Sequence, residues 1–463
     1  MVFSGILFLY YFLPAVLLVY YILPRKLKNT ALFISSLVFY AWGEPVYIFL
    51  MLFSILFNYV MAIIMDRCGE KKTAKTTVLT VTVALDLSIL VFYKYVDFFI
   101  ASVNSVFGLT LPFLNIPLPI GISFYTFQII SYVVDVYRNN AKVQKNFISI
   151  GTYIALFPQL IAGPIVRYSS VDEQLSKRKE TFDMFADGVG AFCVGLSKKV
   201  LLANNFGLLW QASKGAEFGD ISAMSAWLGI IAFTLQIYFD FSGYSDMAVG
   251  LGKMFGFNFE INFNYPYISK SVTEFWRRWH ISLGTWFREY VYIPLGGNRK
   301  GYLRTFFNLL IVWFLTGLWH GASYNFIVWG IYYGVLLIVE KAFLLKLLRK
   351  IPKIFGRIYT LLAIVVGWVI FDSDTLGDAC EYLKIMFCGK NFFDSGFLYD
   401  LRSYAVILPI AIIAVFPFGK NIFCRIPKKI RGIVMVLLSA ISLYVCTAYL
   451  LDSTYNPFLY FRF

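Results

Sequence analysis

"TFFNLLIVWFLTGLWHGASYNFIVWG", residues 305–330, consists of two apolar runs joined by the small residues Gly321, Ala322 and Ser323, with a histidine at the joint. The first run begins after Arg304 and carries no charge before His320. As a helix it climbs only ~24 Å over sixteen residues at ~1.5 Å each, short of the ~30 Å hydrocarbon core of a bilayer. His320 is therefore placed within the membrane layer. The second run follows Asn325 and returns toward a basic stretch at 346–357. A helix satisfies its backbone amides within the segment, as hydrocarbon demands, so the stretch predicts an all-α polytopic membrane protein.

The rest of the chain agrees. Of 463 residues, 59% are hydrophobic and 19% aromatic, too apolar for the two or three soluble domains such a length would otherwise suggest. "FSGILFLYYFLPAVLLVYYIL" (3–23) supplies the ~20 apolar residues of one crossing. It starts uncharged and runs straight into Pro24-Arg25-Lys26, unlike a cleavable signal. Further apolar segments fall near 30–43, 46–65, 76–97, 120–137, 148–166, 185–203, 223–249, 304–319, 323–345, 358–371, 403–418 and 432–451. Some are too short to cross alone. The expectation is about eleven transmembrane helices plus re-entrant or interfacial pieces, packed as one domain over 1–463. Segments broken by Gly and Pro survive at membrane depth only when buried in protein or lining a wet cavity, which points to an internal chamber.

Loop charge sets orientation, because Lys and Arg near span ends favour the cytoplasm. Residues 24–29 and 66–75 are basic, the Glu44-Pro45 turn between them has no cation, 98–119 carries no charge at all, and 138–145 is basic again. The N-terminus is expected outside, in a multi-pass protein of the plasma membrane. The net charge of +15 is then mostly an inner-face property. Anionic lipid accounts for it at roughly 1 kcal/mol per cation near the surface. An anionic cytoplasmic substrate, such as a CoA ester or an acidic carrier protein, is the sharper alternative. Nucleic acid is not implied, since the cations are scattered over short loops and form no stripe. Six single cysteines without a Cys-x-x-Cys suggest neither a zinc site nor a disulfide framework.

Polar residues inside apolar runs mark the candidate site. In "LQIYFDFSGYSDMAVGLG" (235–252), Asp240 and Asp246 flank Gly243. An ionisable group at helix centre costs ~2.5–3.5 kcal/mol on insertion scales, so each is a candidate chamber or orienting residue. Alternatively each caps a broken helix or pairs with a buried arginine. "SVTEFWRRWHISLGTWFREYVYIPLGGNRKG" (271–301) is dense in aromatics and cations. On one helix at ~100° per residue, Arg277, Gly284 and Arg288 share a face with His280 at its edge, and Trp279 and Trp286 point away. This reads as an interfacial helix, serving either as a membrane anchor or as a wall where Arg277, Arg278 and Arg288 meet an acidic acyl donor.

A histidine in an apolar setting is usually structural. Here, however, both histidines of the chain lie within 280–320, each directly preceded by tryptophan, among the densest polar clustering of the apolar regions. Two histidines without a completing Cys or carboxylate do not make a metal site. No Gly-x-Ser-x-Gly nucleophile motif occurs, although a Ser or Cys nucleophile stays open. A general base is the economical reading of His320, because desolvation lowers the ordinary imidazole pKa of ~6.5 and keeps the ring neutral. Asn325, Trp319 and His280 are candidate donors to a developing oxyanion.

The runs "EFWRRWHISLGTWFREYVYIPLGGNRKG" (274–301) and "TGLWHGASYNFIVWG" (316–330) resemble the membrane-bound O-acyltransferase family, and within it a bacterial branch similar to alginate O-acetyltransferases. "LPIGISFYTFQIISYVVDVYR" (118–138), "LFPQLIAGPIVRY" (156–168), "YFDFSGYSDMAVGLG" (238–252) and the tail "YNPFLYFRF" (455–463) agree, whereas 340–450 matches only in hydropathy. The resemblance implies a ring of helices around a thin central chamber, in which an acyl group from a cytoplasmic thioester reaches an acceptor on the outer side. It implies no bound cofactor, the thioester being a substrate, and an extracellular SGNH-type acyltransferase as partner. It makes His320 catalytic and His280 a second functional position. Tyr324 departs from the tryptophan often found at that place in related sequences, which bears on chamber shape. Two other functions remain open: D-alanyl transfer to teichoic acid within the same fold, and a non-enzymatic transporter. The tail and "PLGGNRKG" favour acetyl transfer.

Overall fold

The computed structural model describes residues 1–161, 163–215, 218, 219, 221–389, 391–452, 455–457 and 459, apart from the side chains at 428 and 429. Of the tail run 455–463, residues 458 and 460–463 lie outside the described residues. Regular structure among the described residues is entirely helical.

Among the described residues, six helices are long and apolar enough to cross a membrane: Ile48–Arg67, Lys72–Phe107, Ala223–Met254, Gly301–His320, Lys353–Asp372 and Ile430–Asp452. The pair Ser395–Ser403 and Ile407–Ala414, bent by 67°, makes a seventh if it is one span. Other apolar segments fold shorter. The expected span at 3–23 becomes the helix Phe8–Ile22, and the segment at 148–166 divides into Phe147–Ala155 and Phe157–Leu160, with Pro158 in the first turn of the latter. Ile122–Tyr137 has only 16 residues, and 14 of them are buried, so protein surrounds it on nearly every side.

The chain divides into two compact units, the first comprising 1–192 and 247–260 and the second 193–246 and 261–463. In the first, Phe3, Phe8, Phe12, Phe39 and Phe157 form an aromatic core, and Asn58 donates to the buried Asp86 at 2.9 Å. A polar cavity of about 820 Å³ opens among Asp66, Lys75, Lys142, Lys145, Asp172 and Lys177.

The second unit is built on a helical hairpin. Gly301–His320 packs against Tyr324–Val339, which packs in turn on Lys353–Asp372. Glycines allow the close approach: a Cβ at Gly317 would collide with the carbonyl oxygen of Phe326, and one at Gly330 with that of Trp313. Small residues let membrane helices gain dispersion energy through backbone contact. Similarly, a Cβ at Gly243 would sit 2.7 Å from the Gly195 carbonyl oxygen. Ala223–Met254 therefore runs unbroken through Gly243, where the sequence allowed a break.

Candidate active site

His320 is the last residue of its helix, because Gly321 turns to extended backbone (φ −174°, ψ 162°). Ser323 then caps the next helix by accepting from the Asn325 amide at 3.3 Å. The ring is 6% exposed and walled by aromatics: Trp329 at 5.0 Å between centroids, Trp319 at 5.1 Å, Phe371 at 5.3 Å and Phe326 stacked at 6.5 Å. Asn325 is spent on the same turn region. Its amide donates to the Ser373 carbonyl at 2.5 Å, which ties the hairpin joint to the end of Lys353–Asp372.

His280 sits at a break instead of on a continuous helix. The single amphipathic helix expected over 271–301 is two short ones, Val272–Arg278 and Ile281–Phe287, with Trp279 extended and His280 left-handed (φ 46°, ψ 53°). A non-glycine residue rarely adopts that conformation, and here Asn262 supports it. Its backbone carbonyl accepts from Ile281 N–H at 3.0 Å, and its Oδ1 accepts from both the Ser282 amide and the Ser282 hydroxyl at 3.0 Å. Those donors identify the atom as oxygen, so His280 Nδ1, 3.3 Å away, carries the hydrogen and Nε2 keeps the lone pair. Burial pushes this imidazole down to about 3, so it is neutral at physiological pH. Phe241 stands perpendicular to it at 4.7 Å.

Trp319 joins the two rings. Its centroid lies 6.0 Å from His280 and 5.1 Å from His320. The structure thus brings His280, Trp319 and His320 into one aromatic-walled site and sets Asn325 at its edge.

The two aspartates are elsewhere engaged. Buried Asp240 pairs with buried Lys199 at 2.7 Å and accepts from the Leu459 amide at 2.9 Å, while Lys199 also donates to the Pro457 carbonyl. Asp246 pairs with Lys198 at 2.6 Å. Their partners are lysines, where the sequence suggested arginine. Lys198 and Lys199 carried a signal: two adjacent cations in the apolar segment 185–203 require counterions. Of the donor-access cations, Arg277 and Arg288 are exposed. Arg278 is held by Glu274 at 2.9 Å and the Asn264 carbonyl at 3.1 Å. Trp279 and Trp286 are buried, in keeping with the side expected of them, although the single helix that predicted it is divided. Asn262, Phe241, Trp329 and Phe371 were not legible as site residues, because each reaches the histidines only through tertiary contact.

The model of the membrane-bound O-acyltransferase family matches residues 137–371. "Probable alginate O-acetylase AlgI" of Azotobacter vinelandii is 41% identical over 90% of this chain and 85% of its own length. The "Peptidoglycan O-acetyltransferase" of Helicobacter pylori is 35% identical over 83% of this chain and 80% of its own. More distant is the "Teichoic acid D-alanyltransferase" of Bacillus subtilis, 28% identical over 57% of this chain and 73% of its own.

Proposed function

Because this chain belongs to the membrane-bound O-acyltransferase family, we propose that His320 is the general base of an acyl transfer from a cytoplasmic thioester toward an exported polysaccharide. The protein is a multi-pass membrane acyltransferase, and its relatives make it an O-acetyltransferase acting on polysaccharide. The observation that carries the catalytic assignment is the burial of His320 at the hairpin joint, with one tryptophan shared between it and His280.

In this reading His320 takes the proton of an acceptor hydroxyl as that oxygen attacks the thioester carbonyl. The carbon–sulfur bond breaks, and the proton passes to the departing thiolate. Such base catalysis typically contributes 10²–10⁴-fold. Of the three oxyanion-donor candidates, Asn325 donates to Ser373 and His280 directs its Nδ1–H at Asn262, while Trp319 stands between the two imidazoles. His280, neutral, shapes the second wall.

The finer architecture follows the family expectation. The shorter apolar helices complete about eleven crossings in a ring around a chamber, the whole chain works as one domain, and the N-terminus faces outside the bacterial plasma membrane. The donor is acetyl-CoA or an acyl-carrier thioester met at Arg277, Arg278 and Arg288, no cofactor is bound, and an extracellular SGNH-type acyltransferase takes the acetyl group onward. Membranes supplied with radiolabelled acetyl-CoA or radiolabelled D-alanine test the reading. Acetyl label reaching the cell-wall fraction, and lost in His320→Ala at equal membrane content, supports it; transfer of D-alanine alone, or full activity of the variant, refutes it.

A further inference from the structure

We propose that Glu340 is a positioning residue that holds His280 in place relative to His320, an assignment whose consequence for rate rests on the acyl-transfer reading above. Glu340 is fully buried, directly after the Tyr324–Val339 helix in a π-helical turn. Among the described residues its carboxylate forms no salt bridge. Instead Oε1 accepts from the Val272 amide at 2.6 Å, and Oε2 accepts from the Thr273 amide at 2.8 Å and the Thr273 hydroxyl at 2.6 Å. Val272 and Thr273 open the helix Val272–Arg278, while Ser271, its own cap, serves the Glu274 amide at 3.0 Å.

That helix has seven residues, about two turns, too few to hold itself together without outside contacts. Three contacts seat it. Glu340 takes its N-terminus, where a carboxylate also meets the positive end of the helix dipole. In its middle, Trp276 packs on Trp313 at 4.8 Å, Tyr333 at 4.9 Å and Trp329 at 5.5 Å. Beyond its end, Asn262 holds the turn at His280. Trp313, Trp329, Tyr333 and Glu340 all belong to the chain segment that forms the His320 hairpin and its continuation, so the two histidines are registered through this helix. A buried charge is tolerated only when its lone pairs are largely filled, and here three charge-assisted donors take three of the about four acceptor sites, with the Tyr359 hydroxyl beside the carboxylate as well. An amide could not do the same, because its NH₂ would face a backbone N–H.

The test is a double-mutant cycle on radiolabelled acetyl-CoA turnover in membranes, with Glu340→Gln, His280→Gln and the pair. Glu340→Gln is expected to lower kcat on the order of 10-fold, no more than His280→Gln itself, the scale of a misplaced group, with KM for acetyl-CoA changed less than about threefold. In the His280→Gln background the same change should cost less than about threefold, because both act through one ring position. Glu340→Gln at near wild-type kcat, or a cost undiminished in the His280→Gln background, overturns the proposal. Thr273→Val, which removes one donor and leaves the carboxylate, carries the same cycle if Glu340→Gln fails to insert, with a smaller loss expected. His320→Ala run alongside separates the two ideas: activity surviving it removes the base assignment, whereas the Glu340–His280 coupling is judged on its own cycle.

Discussion

The two Trp-His pairs share a dipeptide and a low exposure, yet the chain holds them by opposite means. At 319–320 a long helix simply ends, and rings of Trp329, Phe371, Phe326 and Trp319 enclose the imidazole. At 279–280 the backbone is forced into a left-handed turn, and a hydrogen-bond set centred on Asn262 fixes the ring's tautomer. A ring enclosed at a helix end suits the proton exchange proposed for His320. One committed to an amide oxygen through Nδ1 is better suited to holding a shape. The difference fits the proposed division, with chemistry at His320 and architecture at His280.

The largest expected effect breaks or confirms that division directly. His320→Gln should lower acetyl transfer by the ~10²–10⁴-fold typical of a lost general base, whereas His280→Gln should lower it roughly 10-fold, the loss expected of misorientation. Rates from labelled acetyl-CoA at matched membrane content decide, and the reverse order would exchange the two roles. Next in size is Gly317→Ala. Its Cβ meets the Phe326 carbonyl oxygen, so the hairpin must spread, at a cost of about 1–3 kcal/mol as for other overpacked cores. A thermal melt in detergent should show a lowered midpoint, and activity should fall with it because His320 lies one turn on. A Gly317→Ala protein that melts like the wild type would mean the hairpin is not held by this contact. Smaller again is Asn262→Ala, which leaves the amide and hydroxyl of Ser282 without their acceptor at about 1–3 kcal/mol. It should reproduce the His280→Gln kinetics while leaving the substrate dependence of His320 variants unchanged.

Much of this was written in local sequence. Hydropathy located the helices, and the 305–330 run placed His320 at a joint, because Gly-Ala-Ser ends a helix by composition alone. The Trp279/Trp286 against Arg277/Arg288 facing was also legible, since it depends only on periodicity. What escaped was set by pairs distant in the chain. Nothing near 280 says that the helix must break there; the break follows from an acceptor 18 residues earlier, Asn262. Asp240 and Asp246 read as chamber candidates or as partners of a buried arginine, and which cation meets them stayed hidden because their lysines sit more than forty residues upstream. Glu340 lies unremarked inside the apolar segment 323–345, and only folding brings it to the amides of Val272 and Thr273. Sequence reveals which groups are costly to bury, but the partner that offsets the cost is a tertiary fact.

The smallest effect near neutrality is the dependence of stability on pH, and it sharpens the contrast from the His280 side. Folding lowers this imidazole from its ordinary 6.5 to about 3 through burial, so the unfolded chain binds the proton first as pH falls. Stability from keeping the ring neutral is complete above about 6.5 and is lost progressively as pH drops from there toward 3. Melting midpoints measured in detergent between pH 7.5 and 4.5 should therefore decline, and His280→Gln should flatten the slope while leaving the value at pH 7.5 nearer its own plateau. Because His280 does not titrate between pH 5 and 8, the acidic limb of the rate profile belongs to another group, and His280→Gln should lower the height of that profile without moving its midpoint. A midpoint that shifts in His280→Gln would make His280 the titrating base and collapse the distinction between the two rings.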